Sequence, residues 1–152
     1  MINLEVILEA IVNKWRTVPG VLEAMGGDPE TIYYVLTGRP GSPAFDAASS
    51  KAPWPSILVS HVATGLGFRG AYTHWRHTFR ADLRLMGDDV TDYSTLIANM
   101  VDGIPLDNNQ LTLMQCSFVF GLDSMEDVVF VRDTSVDGKD FYRMEFALQE
   151  QT

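Results

Sequence analysis

The sequence predicts an α+β fold, with a single, mostly antiparallel sheet of about five or six strands and two helices packed on one face. Two segments, residues 2–16 and 89–102, repeat apolar residues at helical spacing. Six other segments alternate in polarity or are rich in β-branched and aromatic residues, and Asp137-Gly138 is a strong hairpin signal between two of them. The 152 residues suit one domain, residues 1–152, that buries a real core.

The first half opens with an amphipathic helix over residues 2–16, for which Asn3 is the expected N-cap. Its apolar stripe consists of Leu4, Ile7, Leu8, Ile11, Val12 and Trp15. Residues 17–20 are expected to end this helix, with one further turn over residues 21–25 and a glycine turn over residues 26–29. Residues 31–37 and 56–63 then predict strands.

The segment between these two strands, residues 38–55, contains four prolines and shows no usable periodicity. We expect an irregular loop, and a loop of this length inside a domain usually serves a function. Phe45 and Trp54 are its candidate anchors for a partner. Residues 64–71 (TGLGFRGA) predict a glycine-rich turn that presents Phe68 and Arg69.

The second half is the most regular part of the chain. A long strand is predicted over residues 75–86, and Gly87-Asp88-Asp89 is expected to end it and to cap the helix over residues 89–102, with Gly103 at the C-cap position. Further strands are predicted over residues 111–120, 128–133 and 141–149. The turn between the last two contains Asp137 and Lys139.

Composition excludes several classes of function. The net charge of −9 is uneven, because residues 88–152 hold three basic and thirteen acidic residues. Such a chain is not expected to bind nucleic acid by neutralising phosphates, although an acidic surface lets DNA pass; simple solubility is the alternative. The lone Cys116 excludes an internal disulfide and suits a reducing compartment. No stretch approaches the roughly 20 apolar residues that span a bilayer.

No catalytic, cofactor or metal signature is visible. His74 and His77 have an odd spacing that places them on opposite faces of a strand, and His61 has no partner at ligand spacing. Gly65, Gly67 and Gly70 form a GxGxxG pattern without the helix that a dinucleotide site needs after it. Paired carboxylates lie at element ends and in turns. We therefore expect neither an enzyme nor a cofactor.

The most distinct polar feature is the series Arg76, Arg80 and Arg84, whose even spacing places all three on one face of the long strand. One interpretation is a solvated face with cross-strand pairs to acids such as Glu145. The other is an arginine ridge that docks on an acidic surface of a like subunit, because guanidinium groups bind carboxylates well. The second interpretation makes these arginines a candidate subunit interface for head-to-tail ring closure.

The order of the elements resembles the tail terminator, or tail completion, proteins of long-tailed bacteriophages. The resemblance spans an N-terminal helix, a proline-rich loop, a strand ending RADLRLMGDD, a helix YSTLIANMVDGI and a closing hairpin VVFVRDTSVDGKDFYRMEFALQ. It implies a virion protein assembled in the host cytoplasm, a hexameric ring at the head-proximal end of the tail tube. Such a ring stops tube polymerisation, meets the head–tail connector and passes DNA through its lumen without specific binding.

The resemblance implies no catalytic residues, and it places partner contacts on the loops at residues 38–55, 64–71 and 134–139. Another neck component, such as a head–tail adaptor or a minor tail protein, is the nearest alternative. A small ligand-binding or enzymatic α+β domain that uses a cleft near the glycine-rich turn, with His61 and His74, is an alternative of a different class.

Overall fold

A computed structural model describes residues 3–37, 42–69, 72–86, 93–102, 111–118, 133–136 and 139–150. These contain four α-helices, a short 3-10 turn (Pro29–Thr31) and six strands. The helices are α1 (Leu4–Trp15), α2 (Pro19–Ala24), α3 (Pro43–Ser50) and α4 (Tyr93–Asp102). The strands are β1 (Ile32–Thr37), β2 (Ser56–Arg69), β3 (Tyr72–Met86), β4 (Leu111–Phe118), β5 (Asp133–Val136) and β6 (Lys139–Glu150).

The strands form one sheet in the order β1-β2-β3-β6-β4, and β5 pairs with the start of β6. The predicted α+β class with a single sheet is confirmed. The sheet is mixed, because β1 runs parallel to β2 while the other pairs are antiparallel. The expectation of two helices on one face is wrong, since the described residues contain four and α3 lies on the opposite face from the others.

Helix α1 forms where the periodicity predicts it. Asn3 caps it, because its Oδ1 accepts a hydrogen bond from the Glu5 backbone N–H at 2.9 Å. The buried stripe of α1 consists of Ile7, Leu8, Ile11, Val12 and Trp15. At the far end of α2, Gly26 and Gly27 adopt positive φ angles of 70° and 79°, a conformation that glycine adopts without a Cβ penalty. The predicted glycine turn is therefore confirmed.

The main core lies between the helices α1, α2 and α4 and one face of the sheet, which we call the helical face. Trp15 links α1 to α4, since its Nε1 donates a hydrogen bond of 2.8 Å to the carbonyl of Met100 in α4. Its ring also meets Phe146 edge-on at 6.0 Å, and Phe146 stacks on Phe79 at 5.6 Å. The sheet residues of this core are Ile32, Ile57, Val59, Phe79, Ala81, Leu83, Leu85, Met144, Phe146 and Leu148.

The predicted irregular loop at residues 38–55 contains helix α3 instead. Ser42 and Pro43 occupy the N-cap and the first turn, positions that serine and proline favour. Phe45 is the buried side chain of this helix. Because α3 has only 8 residues and is rich in alanine and serine, it shows no apolar stripe that a periodicity search detects. Residues 38–41 lie outside the described residues.

The prediction of a glycine-rich turn at residues 64–71 is also wrong for the part that the structure describes, residues 64–69. Strand β2 continues through Gly65 and Gly67 to Arg69, which pairs with Tyr72 of β3. The register with β3 shifts between His61 and Ala63, which marks a β-bulge at Val62. Strands β2 and β3 therefore form one long hairpin, and its tip at residues 70–71 lies outside the described residues.

Most predicted elements of the second half are found where the structure describes them, but β5 covers residues 134–136 and β6 begins at Lys139, positions that the sequence assigns to the turn at residues 134–139. Helix α4 and strand β4 fall inside the predicted segments 89–102 and 111–120, and β6 covers the predicted strand at residues 141–149. Val136 pairs with Lys139, the register expected for a two-residue connection. The cap at Gly87-Asp88-Asp89, the C-cap Gly103, most of the strand at 128–133, and Asp137-Gly138 lie outside the described residues.

Candidate interaction surfaces

The sheet face opposite the helical face, which we call the polar face, carries charged residues at buried positions. Asp82 is 1% exposed, and Arg80 and Arg84 beside it on β3 are 9% and 7% exposed. Two ion pairs cross from β3 to β6 at register positions: Arg80 Nη2 to Glu145 Oε1 at 3.2 Å, and Arg143 Nε to Asp82 Oδ1 at 3.0 Å. The polar face is thus a cross-strand network within the chain.

Arg84 connects this network to α3. Its Nη2 donates to the carbonyl and the hydroxyl of Ser49 at 3.2 and 2.9 Å, and its guanidinium lies 5.9 Å from the centre of the Trp54 ring. Burial lowers the pKa of Arg84, while the charge of Asp82 and the nearby Tyr33 oppose that effect. The Tyr33 hydroxyl donates to the carbonyl of Ala48 at 3.3 Å, so polar contacts help to hold α3 on the polar face.

Some polar atoms at buried positions on this face have no hydrogen-bond partner within the described part of the chain. Among them are Asp82 Oδ2 and the hydroxyls of Ser56 and Ser60, two residues that are fully buried. Ser60 and Arg80 are register partners, as are Ser56 and Arg84. The serines therefore lie in the same rows as the arginines.

The structure corrects the predicted arginine ridge. Arg76, Arg80 and Arg84 do share one face of β3, but only Arg76 is exposed. Arg80 is held by Glu145, the cross-strand alternative that the sequence also indicated, and Arg84 is held by Ser49 and Trp54. Arg80 and Arg84 are therefore not an exposed ridge, and a subunit contact through them stays a prediction.

Of the predicted partner-contacting residues, the structure describes the side chains of two, Phe45 and Trp54. Phe45 is 5% exposed and packs within the chain, so it offers no surface anchor. Trp54 is partly buried beside Arg84. Phe68 and Arg69 lie at the end of β2 and Lys139 at the start of β6, with only their backbones described, while Asp137 lies outside the described residues.

A second polar cluster lies at the end of the main core near the β-bulge. The sequence alone does not predict it. The Thr64 hydroxyl lies 2.7 Å from His61 Nε2 and 2.9 Å from Nδ1 of the fully buried His77. A hydroxyl has one proton and two lone pairs, so it donates to at most one of the imidazoles and accepts from at least one of them. Both histidine rings also contact Phe79, at 5.6 and 6.4 Å. Thr64 and His77 are 13 residues apart in the sequence, and they meet because the pairing of β2 with β3 places them at the same register position.

Beyond this cluster, the hairpin leaves the main core. We call residues 65–69 of β2 and 72–76 of β3 the distal hairpin. Among the described side chains of these two strands, the core residues of β2 end at Val59 and those of β3 begin at Phe79. Leu66, at 56% exposed, Gly65 and Arg76 all face solvent.

No family model matches this chain, and a search of curated proteins finds no match either. Within the described ranges, no group of three or more histidine, cysteine, aspartate or glutamate residues is arranged to hold a metal ion. Among the helices that the structure describes, none is long and apolar enough to cross a membrane. The main polar clusters among the described residues are the ion pairs of the polar face and the histidine–threonine cluster.

Proposed function

We propose that this chain is a structural subunit that assembles with copies of itself, and that it acts as a tail terminator at the neck of a long-tailed phage. These copies form a ring that ends polymerisation of the tail tube and joins the tail to the head connector. The observation that supports an assembling subunit is the distal hairpin, which extends past the helical layer and exposes Leu66. The phage assignment rests on the order of elements in the sequence.

The described side chains of the distal hairpin are not part of the main core. A two-stranded ribbon is at best marginally stable in water unless a third strand or a helix covers it. Strand β6 reaches β3 only as far as Trp75, so within the described residues Tyr72 pairs with β2 alone. A neighbouring protein that covers this ribbon buries apolar surface that is otherwise exposed, and it stabilises the ribbon at the same time.

The charge distribution suits the remaining partners. Residues 88–152 contain three basic and thirteen acidic residues, and a lumen lined by this acidic half repels the phosphates of passing DNA rather than binding them. The tube protein and the connector are then the protein partners at the two ends of the ring.

The test is the mass of the assembled particle. Native mass spectrometry and electron microscopy across a concentration series, with and without the tube protein, are expected to show closed rings. Leu66→Lys is expected to lower the assembled fraction at least tenfold, whereas the matched control Val6→Lys, on the 48% exposed outer side of α1, leaves it unchanged. A chain that stays monomeric at every concentration and also with the tube protein contradicts the proposal.

The alternatives separate in the same experiment. A head–tail adaptor or minor tail protein forms assemblies without limiting the length of tubes polymerised in its presence, whereas a terminator shortens them. The ligand-binding or enzymatic alternative is favoured by one observation, the Thr64 hydroxyl held between two imidazoles. Micromolar binding of a nucleotide or metal that Thr64→Val abolishes supports that alternative.

A further inference from the structure

Positive charge is concentrated in the segment that contains β2 and most of β3. Residues 47–81 include no aspartate or glutamate, although the whole chain has 20. The same segment has four of the 11 lysine and arginine residues and all three histidines, namely Lys51, Arg69, Arg76, Arg80, His61, His74 and His77. The rest of the chain therefore has seven basic and 20 acidic residues, so a cationic segment is set in a strongly acidic chain.

Within the sheet, this positive charge is exposed on the distal hairpin. Arg80, nearer the main core, is 9% exposed and binds Glu145, whereas Arg76 is exposed. Arg69 ends β2 on the same hairpin. Gly65, the register partner of Arg76, has no side chain, and the space that a Cβ would occupy there is open. The space beside Arg76 above Gly65 is therefore available to a group of a partner.

Acidic residues lie at the opposite end of the sheet. Asp140 pairs with Leu85 of β3, and Asp133 lies in the next row. Ten residues of β3 separate the Leu85 row from the Trp75 row of the distal hairpin, a distance of about 33 Å at about 3.3 Å per residue. Salt screens exposed charges beyond about 8 Å at physiological ionic strength. The cationic hairpin therefore does not meet these acids within one copy, but it can meet those of another copy.

We infer that the distal hairpin of one copy docks on the acidic second half, residues 88–152, of the next copy. This names the contact for the proposed ring and rests on that proposed function. Opposite charges orient the two copies, and burial of the exposed Leu66 side chain adds affinity. Because the contact joins two different surfaces it is heterologous, the kind that closes into a ring when the rotation between copies allows it.

A second copy fits this surface better than a nucleic acid does. DNA presents one negative charge about every 1.7 Å, which the field of a chain with a net charge of −9 repels. A second copy repels less, because its acidic residues are spread over a surface that also carries a cationic hairpin. Residues 88–152 have thirteen acidic and three basic residues. A ring contact uses part of this half, and the rest remains available to face the lumen.

The first test compares two charge reversals that change the net charge by the same amount, with circular dichroism to confirm folding. Arg76→Glu is expected to lower the assembled fraction in native mass spectrometry at least tenfold at about 50 mM salt. The matched control Lys14→Glu, at an exposed position of α1, is expected to change it less than twofold. Assembly of the unmodified chain is expected to weaken at least fivefold between about 50 and about 500 mM salt, because exposed charges are screened.

The second test maps the contact with a carbodiimide, which joins a lysine amine to a carboxylate. Arg76→Lys, which keeps the charge, is labelled with nitrogen-15 and mixed with the same variant at natural abundance. Cross-links between the two isotopic forms are expected to join position 76 to an aspartate or glutamate within residues 88–152. The labels separate these from coupling within one chain, for example to Glu150, the register partner of Trp75. The unmodified chain is the control, because arginine does not react.

The outcomes separate this inference from the proposed function. Rings that form equally well with Arg76→Glu and Lys14→Glu, without cross-links between copies from position 76, overturn the docking and leave the ring proposal intact. Cross-links between copies that reach only the acids of residues 1–46 also overturn it. Binding of duplex DNA at about 150 mM salt that Arg76→Glu abolishes, without cross-links between copies, makes nucleic acid the occupant and overturns the docking. A monomer at every concentration, alone and with the tube protein, overturns both.

Discussion

Removal of the Asp82 carboxylate charge is expected to destabilise this protein more than removal of its ion-pair partner. Asp82 is 1% exposed, and Arg80 and Arg84 flank it on the same strand face at 9% and 7% exposure. Asp82→Asn keeps the shape of the side chain but leaves these two buried guanidinium groups without the negative charge between them. Loss of one member of a buried ionic network costs about 3–5 kcal/mol, and we expect a value in this range.

Removal of the partner charge on Arg143 is expected to destabilise the protein less. Arg143→Met removes the Nε that lies 3.0 Å from Asp82 Oδ1, but Arg143 is 29% exposed at its side chain and Asp82 still lies near Arg84. We expect a cost of about 2 kcal/mol, below the range for breaking a fully buried pair. The double variant is expected to show a coupling of about 1–2 kcal/mol between the two sites, because they are in direct contact.

The assay is urea denaturation followed by tryptophan fluorescence and circular dichroism on all variants. Asp102→Asn, the same chemical change at an exposed residue at the end of α4, is the control and is expected to change the free energy of unfolding by less than about 0.5 kcal/mol. If Asp82→Asn costs under 1 kcal/mol, or less than Arg143→Met, then the buried arginines do not depend on Asp82 and the reasoning is refuted.

Three further changes test other parts of the fold. Trp15→Phe removes the 2.8 Å hydrogen bond from α1 to the Met100 carbonyl and is expected to cost about 2–3 kcal/mol in the same denaturation assay; a cost below 1 kcal/mol contradicts the role of Trp15 as the link between α1 and α4. Asn3→Ala removes the cap on α1 and is expected to cost about 1 kcal/mol, whereas Asn3→Ser keeps most of it. Burial raises the pKa of Tyr33 above 10.0, so its contribution to stability is present below about pH 10 and is lost as the pH rises through the folded-state pKa. Tyr33→Phe is therefore expected to make the alkaline fall in stability shallower, and an unchanged profile between pH 9 and 11.5 contradicts this.

The sequence predicts those parts of the fold whose pattern is local. The stripe of α1 and the alternation of β3 each repeat over enough residues to reveal the period, and both elements form where expected. Helix α3 was missed because 8 residues with one buried side chain, Phe45, show no period. The sequence feature that does indicate this helix is Ser42-Pro43 at its start. Gly65 and Gly67 suggested a turn, but β3 runs alongside them and holds them in a strand.

The candidate surfaces depend on contacts that no local pattern reveals. The sequence placed the three arginines correctly on one face, but the burial of Arg80 depends on Glu145, which lies 65 residues away. The burial of Arg84 depends on Ser49 and Trp54, in a segment that the sequence assigned to an irregular loop. The bridge from Thr64 to His77 likewise exists only because the hairpin register places them in one row.

The burial of these arginines changes where contact between copies is expected. A guanidinium group that already binds Glu145 or Ser49 must give up that partner before it can bind another subunit, and the exchange gains little. The distal hairpin has no such cost, because Leu66 is already exposed and, on the β1 side, no described strand pairs with β2 beyond His61. Contact with another copy at this hairpin would bury the exposed Leu66 side chain. In the proposed ring, the acidic second half is expected to act on DNA through its long-range field, and contact between copies is expected at the distal hairpin.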